Sequence, residues 1–330
     1  KNVEFEEKLL YELKIFNNKY FPSPEFRRKV RQKQINENEY ARDKEREFLK
    51  TYLNLVDKYK IPLKQKNDQK FLDRWFLQSV RDEIDFVFER VKKIENAKLK
   101  KIIAIILSRT IRSCRATTHA DLGTLREPVT ATYYCKKHGK VCKPIFSILG
   151  WWERYGKDTI NRLKQFDRLR TDTYQKCLIG DSRTINIFSE LKKKDKGFGE
   201  LVERQKIKGI FSSPPYVGLI DYHEQHAYAY DLFGFNRQDE LEIGPLSRGQ
   251  GKAARDSYIQ GIADVLLNCK RYLQKDYDTF LVANDKYGLY PEIAKLVGMK
   301  IVNQFKRPVL NRVEKDRSAY SEIIFHLKEK

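Results

Sequence analysis

Lys208-Gly209-Ile210-Phe211-Ser212-Ser213-Pro214-Pro215-Tyr216 is the stretch around which the rest of the chain is interpreted. A short apolar segment runs directly into two prolines, which have no backbone N–H to donate to a sheet. The sequence therefore predicts a strand that ends there. A hydroxyl, two carbonyls in rigid backbone and an aromatic ring would then lie at the carboxyl end of the strand, where open α/β sheets bind ligands. The alternative is an ordinary strand terminator with a packing tyrosine.

Strands and helices alternate around this stretch, from about Gln175 to the end of the chain. Residues 176–179 predict a strand that ends at Gly180-Asp181, and residues 184–191 predict a helix. Further helices are expected at 221–233, 253–273 and 290–297, strands at 279–283, 300–307 and 320–327, a mobile loop at 235–252 and a polar loop between the last two strands. The alternation predicts a mostly parallel, doubly wound α/β sheet that finishes in an antiparallel hairpin.

The first half of the chain has a different pattern. Apolar residues recur at helical spacing through residues 1–113 and again through residues 144–170, with charged faces between them. We therefore predict two parts, a mainly helical part at 1–170 and an α/β part at 175–330.

The composition is strongly basic. The 330 residues include 66 Lys and Arg against 45 Asp and Glu, a net charge of +21. Such a charge favours a polyanionic partner such as nucleic acid, although a generally lysine-rich proteome would give the same balance. The sequence has no apolar run long enough to span a membrane, no signal pattern at its start and an odd number of cysteines, so we expect a cytoplasmic protein.

A possible metal site lies between the two helical stretches. Cys135, His138 and Cys142 have the spacing Cys-x2-His-x3-Cys around a glycine, which is typical of a zinc knuckle. Cys114 or His119 could supply a fourth ligand. Two buried thiols and a surface histidine are an equally simple interpretation.

Ser213-Pro214-Pro215-Tyr216, preceded by a strand that ends in Gly180-Asp181, resembles the DNA amino-methyltransferases that use S-adenosylmethionine. The segment 217–226, with Leu232-Phe233-Gly234-Phe235 after it, is similar to the continuation in members that methylate cytosine N4. The resemblance covers about residues 175–330. It implies a Rossmann-like, doubly wound methyltransferase sheet with a large helical insertion that serves target recognition.

The resemblance also implies an activity and a site. The protein would transfer a methyl group from S-adenosylmethionine to the N4 amine of a cytosine flipped out of double-stranded DNA, in a restriction-modification system with a cognate endonuclease. Ser213, Pro214, Pro215 and Tyr216 would be the catalytic residues. Asp181, Ser182 and Ser213 would contact the cofactor.

One family feature is missing from the sequence. The glycine-rich cofactor loop, Phe-x-Gly-x-Gly after an apolar strand, does not occur; Gly197-Phe198-Gly199 and Gly249-Gln250-Gly251 both lie in polar surroundings. We expect the cofactor-loop segment to lie before Lys1 or on another chain. Three other functions stay open: N6-adenine methylation of DNA, amino-methylation of RNA, and a non-catalytic subunit that binds nucleic acid.

Overall fold

A computed structural model describes residues 1–64, 69–119, 127–308 and 321–330. The chain divides into two compact units. The first comprises Lys1–Thr171 with His226–Arg237, and the second comprises Asp172–Gln225 with Gln238–Lys330. The polar loop predicted before the last strand lies outside the described residues.

The first unit is built mainly from helices, as the apolar spacing predicts. They are α1 (Asn2–Tyr20), α2 (Glu25–Arg31), α3 (Glu37–Tyr59), α4 (Phe71–Trp75), α5 (Gln78–Lys92), α6 (Ala97–Ser113), α7 (Leu149–Leu169) and α11 (Ala227–Phe233). Two short strands, β1 (Tyr133–Cys135) and β2 (Lys140–Cys142), form an antiparallel hairpin between α6 and α7. Asn36 and Asn96 cap α3 and α6, because each side chain accepts hydrogen bonds from two backbone N–H groups of the first turn.

Aromatic side chains dominate the core of the first unit. Phe5, Phe48, Tyr52 and Phe146 are fully buried, and Phe5 and Phe146 meet edge to face with their ring centroids 4.8 Å apart. Burial of several such rings is the main stabilising term for this unit, since each removes a large apolar area from water.

The second unit places helices around one sheet. Its helices are α8 (Ile187–Lys194), α9 (Lys196–Gln205), α10 (Tyr222–Gln225), α12 (Lys252–Lys270) and α13 (Tyr290–Leu296). Its strands are β3 (Ile207–Ser212), β4 (Leu273–Ala283), β5 (Met299–Pro308) and β6 (Ser321–Glu329). The mixed α/β class that the sequence predicts is therefore confirmed, whereas the Rossmann-like doubly wound arrangement stays a prediction.

The four strands have the order β3-β4-β6-β5. β3 and β4 are parallel, while β6 lies antiparallel to both β4 and β5. The expected antiparallel hairpin at the end of the chain is confirmed. The expectation of a mostly parallel sheet is wrong for the described strands, because β6 inserts between β4 and β5 and both of its ladders are antiparallel.

The strand predicted at 176–179 is also wrong. These residues belong to no ladder among the described strands, and Ile179 is 88% exposed. An apolar segment becomes a strand only where a neighbour accepts and donates its backbone hydrogen bonds. β3 is thus an edge strand of the described sheet.

Two predicted helices also differ from the structure. The helix predicted at 184–191 begins only at Ile187, because Asn186 adopts an extended conformation and its side chain caps the Ser189 N–H. The helix predicted at 221–233 is interrupted at His226, which has a non-helical φ of −111° between α10 and α11.

Among the described helices, none combines the length and the apolar character that a membrane span requires.

Candidate functional site

Ser213, Pro214, Pro215 and Tyr216 directly follow β3. Ser213 is exposed, and the other three residues are half-buried. β3 stops at Ser212, as expected where two prolines cannot continue a ladder. The four residues therefore lie at the carboxyl end of an edge strand, with the Ser213 side chain accessible to solvent.

The Tyr216 ring is held from β6. Its hydroxyl donates a hydrogen bond of 2.6 Å to Oε1 of Glu322, whose other oxygen lies 3.4 Å from a guanidinium nitrogen of Arg307. A hydrogen bond to a carboxylate is about twice as strong as one between neutral groups. Glu322, which lies in β6, thus fixes the hydroxyl end of the Tyr216 ring.

The Pro215 carbonyl is held from α12. The Tyr258 hydroxyl donates to it at 2.9 Å and lies 3.0 Å from the hydroxyl of Tyr290 on α13. Both tyrosines are buried, and burial raises the pKa of Tyr258 to about 12. The hydroxyl therefore stays protonated near neutral pH and keeps donating to the Pro215 carbonyl.

The segment after the motif is fixed by the loop that the sequence predicts as mobile. The Gly218 N–H donates to the Gly244 carbonyl at 2.9 Å, and the Gln250 amide donates to the carbonyls of Val217 and Gly218. Tyr287 in turn donates to the Gln250 side-chain oxygen. These bonds attach Gly244 and Gln250 to residues 217–218, directly after the motif.

Gly218 is required by this close approach. Its φ is +62°, and a Cβ atom at this position would lie 2.3 Å from the backbone oxygen of Gly249. Only glycine tolerates both the left-handed backbone and the contact. The position of residues 213–218 is therefore set by backbone packing as well as by side-chain hydrogen bonds.

Asp181 and Ser182 lie in the exposed segment before α8. Both oxygens of Asp181 bind the guanidinium of Arg183, at 2.8 to 3.1 Å, and this pairing lowers the pKa of Asp181. The Ser182 carbonyl accepts a hydrogen bond of 3.1 Å from the Asn268 side chain of α12. Of the three predicted cofactor residues, Asp181 is therefore paired with Arg183 and Ser182 is attached to α12, whereas Ser213 lies at the end of β3.

In the first unit, the predicted knuckle residues come together with one of the two suggested partners. The ligand atoms of His119, Cys135, His138 and Cys142 all lie within 4.8 Å of one another. Hydrogen bonds from the Cys142 thiol and then from His119 lower the pKa of the Cys135 thiol, and partial burial lowers the pKa of His138. Cys114 belongs instead to the hydrophobic core. Burial of its side chain raises its pKa.

Three residues that hold the motif were not found from the sequence. Tyr258 and Tyr290 each lie at helical spacing from apolar neighbours on their own helix, a pattern typical of ordinary core residues. Glu322 gives a clearer signal, since it is a carboxylate just before the apolar run Ile323-Ile324-Phe325 in the strand predicted at 320–327. A charged side chain in such a strand needs a partner, and charged residues are rarely buried without one.

Comparison with known proteins gives one informative relative. The chain is 48% identical over 322 residues to the type II methyltransferase M.MjaII of Methanocaldococcus jannaschii, and the alignment covers 95% of this chain. The chain spans 59% of the length of that relative. No protein-family profile matches the chain, and no solved structure matches it.

Proposed function

We propose that this chain carries the target-base half of a type II DNA methyltransferase that methylates an exocyclic amino group, with cytosine N4 as the first choice. The observation that carries the proposal is the presentation of Ser213–Tyr216 at the end of β3, with the Tyr216 ring and the Pro215 carbonyl each held by a hydrogen bond. The methyltransferase name of the relative supports the same chemistry.

The motif suits an amine that needs activation. The lone pair of an amino group on a base ring is delocalised, so the nitrogen is a poor nucleophile. The Ser213 hydroxyl and the Pro214 carbonyl would accept hydrogen bonds from the two amine protons. They would thereby favour a pyramidal nitrogen and stabilise the positive charge that develops on it. No covalent bond between base and protein is needed.

Tyr216 would hold the base itself. A base swung out of the duplex loses stacking worth a few kcal/mol, and an aromatic ring returns part of it. Glu322 suits this role because it fixes the Tyr216 hydroxyl, so the ring is oriented before a base arrives. The remainder of the basic chain, and the helical unit in particular, would contact the DNA duplex around that base.

S-adenosylmethionine is the cofactor that this function implies, and it supplies the methyl group as a sulfonium. Asp181 is the residue of this chain proposed to accept a hydrogen bond from its adenine amine, with Ser182 and Ser213 beside the cofactor. The fit is incomplete, because both oxygens of Asp181 already bind Arg183. The Phe-x-Gly-x-Gly loop of that family does not occur in residues 1–330.

The base specificity can be tested directly. Duplex DNA is incubated with the full-length protein and S-adenosylmethionine, digested to nucleosides and measured by mass spectrometry. N4-methylcytosine is the expected product. N6-methyladenine alone would overturn the choice of base but leave the amino-methyltransferase assignment intact.

Substitutions at the motif test the site. Ser213→Ala removes one acceptor and is expected to lower the transfer rate about 100-fold or more, by analogy with the loss of one oxyanion-hole donor. Tyr216→Ala removes a stacking platform worth about 1–3 kcal/mol, so the transfer rate should fall by about 5- to 150-fold. Ser212→Ala, at the last residue of β3, is the matched control and should keep its activity.

DNA binding by the same variants separates chemistry from folding. Ser213→Ala and Tyr216→Ala should still bind duplex DNA, with an affinity that falls steeply as salt rises. Unchanged transfer in both variants would remove the site assignment. A protein that transfers methyl groups to transfer RNA but not to duplex DNA would favour the RNA alternative, and failure to bind labelled cofactor would favour a non-catalytic subunit.

The proposed partners follow from the type II assignment. Double-stranded DNA is the substrate, and an endonuclease that cleaves the same sequence would act in the same system. Plasmid DNA modified by this protein should resist that endonuclease.

A further inference from the structure

Four side chains in the first unit converge from two separate segments. Cys135, His138 and Cys142 belong to the β1–β2 hairpin, and His119 follows the end of α6. Their ligand atoms all lie within 4.8 Å of one another. No part of the proposed methyl transfer uses these residues, so the cluster needs its own explanation.

The spacing of the ligand atoms fits a tetrahedral ion. Zinc binds thiolate sulfur at about 2.3 Å and imidazole nitrogen at about 2.0 Å, so neighbouring ligand atoms in a tetrahedron lie about 3.3–3.8 Å apart. His138 Nδ1 and Cys142 Sγ are 3.4 Å apart, within this range. The rings of His119 and His138 meet edge to face with centroids 4.4 Å apart, and no pair of ligand atoms is more than 4.8 Å apart.

The His119 ring is held in an orientation suited to a ligand. Its Nδ1 lies 2.9 Å from the Tyr133 hydroxyl, and the same hydroxyl accepts a hydrogen bond of 3.1 Å from the His119 backbone N–H. Metal-binding histidines use one ring nitrogen for the ion and the other for a hydrogen bond that fixes the ring. With Nδ1 engaged by Tyr133, Nε2 is the nitrogen left for an ion.

The turn of the hairpin also suits a knuckle. The backbone N–H groups of His138 and Gly139 both donate to the Cys135 carbonyl, at 3.1 and 2.7 Å. Gly139 has a φ of +63°, which a residue with a side chain rarely adopts. The turn conformation by itself therefore places His138 close to Cys135, without a metal ion.

The two thiols are placed for a shared ion rather than as cross-strand partners. Cys135 lies opposite Lys140, and Cys142 lies opposite Tyr133. Both cysteines are buried, and neither forms a disulfide. Two sulfur and two nitrogen ligands fill all four positions of a tetrahedral zinc, which is the pattern of structural sites, since catalytic sites keep one position open.

We propose that His119, Cys135, His138 and Cys142 bind one structural zinc ion, which ties the segment after α6 to the β1–β2 hairpin. The buried Cys114 takes no part in it. Tyr133 is a positioning residue that acts through the His119 ring. The ion would add a cross-link to a region that otherwise rests on a hairpin of two three-residue strands.

Zinc content of the full-length protein tests the proposal. The protein is purified without a histidine tag, and metal is measured by mass spectrometry after dialysis. We expect one zinc per chain, with loss of the ion to background in His119→Ala and Cys135→Ser. Cys114→Ala and Cys269→Ser are the matched cysteine controls and should keep the full content.

A second readout keeps the test decisive if the ligand variants fail to fold. The wild-type protein is loaded with Co²⁺, whose absorption distinguishes tetrahedral coordination by two thiolates from octahedral coordination. Tyr133→Phe should weaken zinc binding about 10- to 100-fold in a chelator competition, as expected for an outer partner of a ligand. Tyr134→Phe, whose hydroxyl binds Glu37, should leave zinc affinity unchanged.

Three results would overturn the site. They are a metal-free protein with a Cys135–Cys142 disulfide, octahedral Co²⁺ without thiolate bands, and loss of zinc in Cys114→Ala with retention in His119→Ala. Because neither metal content nor Co²⁺ absorption depends on methyl transfer, failure here would leave the proposed function untouched.

Discussion

Two segments of the second unit look alike in sequence and differ in structure. Each is a short apolar run, followed by Gly180-Asp181 in residues 176–181 and by two serines in residues 208–213. Each run predicts a strand that ends in a site. Residues 207–212 form β3 beside β4, whereas residues 176–179 join no described ladder. The residues after β3 are held by α12, β6 and the 244–250 loop, while Asp181 pairs with the adjacent Arg183.

The difference shows what a local pattern can and cannot decide. Apolar composition makes an extended segment favourable, but its backbone groups are satisfied only if another segment of the chain lies alongside. β4 supplies that neighbour for β3.

Substitution of Gly218, which follows β3 and the motif, and of Gly180, in residues 176–181, should give the largest contrast. Gly218→Ala would force a Cβ to within 2.3 Å of the Gly249 backbone oxygen at a φ of +62°. We expect it to cost about 2–5 kcal/mol, the sum of a left-handed backbone penalty and overpacking. Denaturant unfolding of the purified variant measures the change.

Gly180→Ala is the matched control. The three heavy atoms nearest to a Cβ at Gly180 would all belong to the Ile185 side chain, with the flexible Cδ1 closest at 2.9 Å and Cγ1 and Cβ at 3.3 and 3.5 Å. The change in the free energy of unfolding should stay within about 0.5 kcal/mol, as for most surface substitutions. Equal losses in the two variants would mean that both segments are packed with similar rigidity.

Hydrogen exchange should separate the two segments next. The slowest amides of β3 are hydrogen-bonded in a ladder and exchange only on opening, whereas residues 176–179 have no such ladder among the described strands. We expect at least about 100-fold slower exchange in β3, equivalent to about 2.8 kcal/mol. Equal protection of residues 176–179 in the full-length protein would show that they too have a strand partner.

Removal of the Tyr258 hydroxyl should have a smaller effect, centred on the motif. Tyr258→Phe leaves the Pro215 carbonyl without its donor and should cost about 1–3 kcal/mol of stability. If the chain transfers methyl groups as proposed, the variant should also slow this transfer, because the carbonyl helps to set the position of the motif. Tyr277→Phe is the control: this buried tyrosine binds Glu329, so its loss should lower stability without slowing transfer in the folded protein.

The same tyrosine predicts a response to alkaline pH. Burial raises the pKa of Tyr258 to about 12, above the ordinary value near 10. The stability that the neutral hydroxyl contributes is therefore complete below about pH 10 and is lost as pH rises towards about 12. The free energy of unfolding should fall less steeply across this window in Tyr258→Phe; an identical slope would contradict the assignment.

Asp181→Asn should have the smallest effect on stability. Its partner Arg183 is near the surface, and ion pairs of this kind contribute about 0–1 kcal/mol. If Asp181 contacts the cofactor as proposed, S-adenosylmethionine binding measured by calorimetry should weaken about tenfold, the value of one hydrogen bond to a charged group. An unchanged affinity for S-adenosylmethionine would mean that Asp181 and the exposed segment before α8 have only a structural role.

Much of the fold was accessible from the sequence because it depends on near neighbours. Helical spacing predicted α1 to α7, and the last two strands form the expected antiparallel hairpin. The Cys-x2-His-x3-Cys spacing correctly singled out residues that the structure brings together. The sequence could not tell whether His119 or Cys114 joins these three residues. Both follow α6, and only tertiary packing buries Cys114 in the core.

By itself, the sequence determined that the chain changes from helical to alternating elements, that a strand must stop at two prolines, and that a serine and a tyrosine flank them. These properties follow from backbone chemistry within a few residues. Only the tertiary structure decided that Glu322, 106 residues away, holds Tyr216, that Tyr258, 43 residues away, holds Pro215, and that residues 176–179 stay outside the described ladders. Such contacts depend on which distant segments pack together, and local spacing carries no information about that choice.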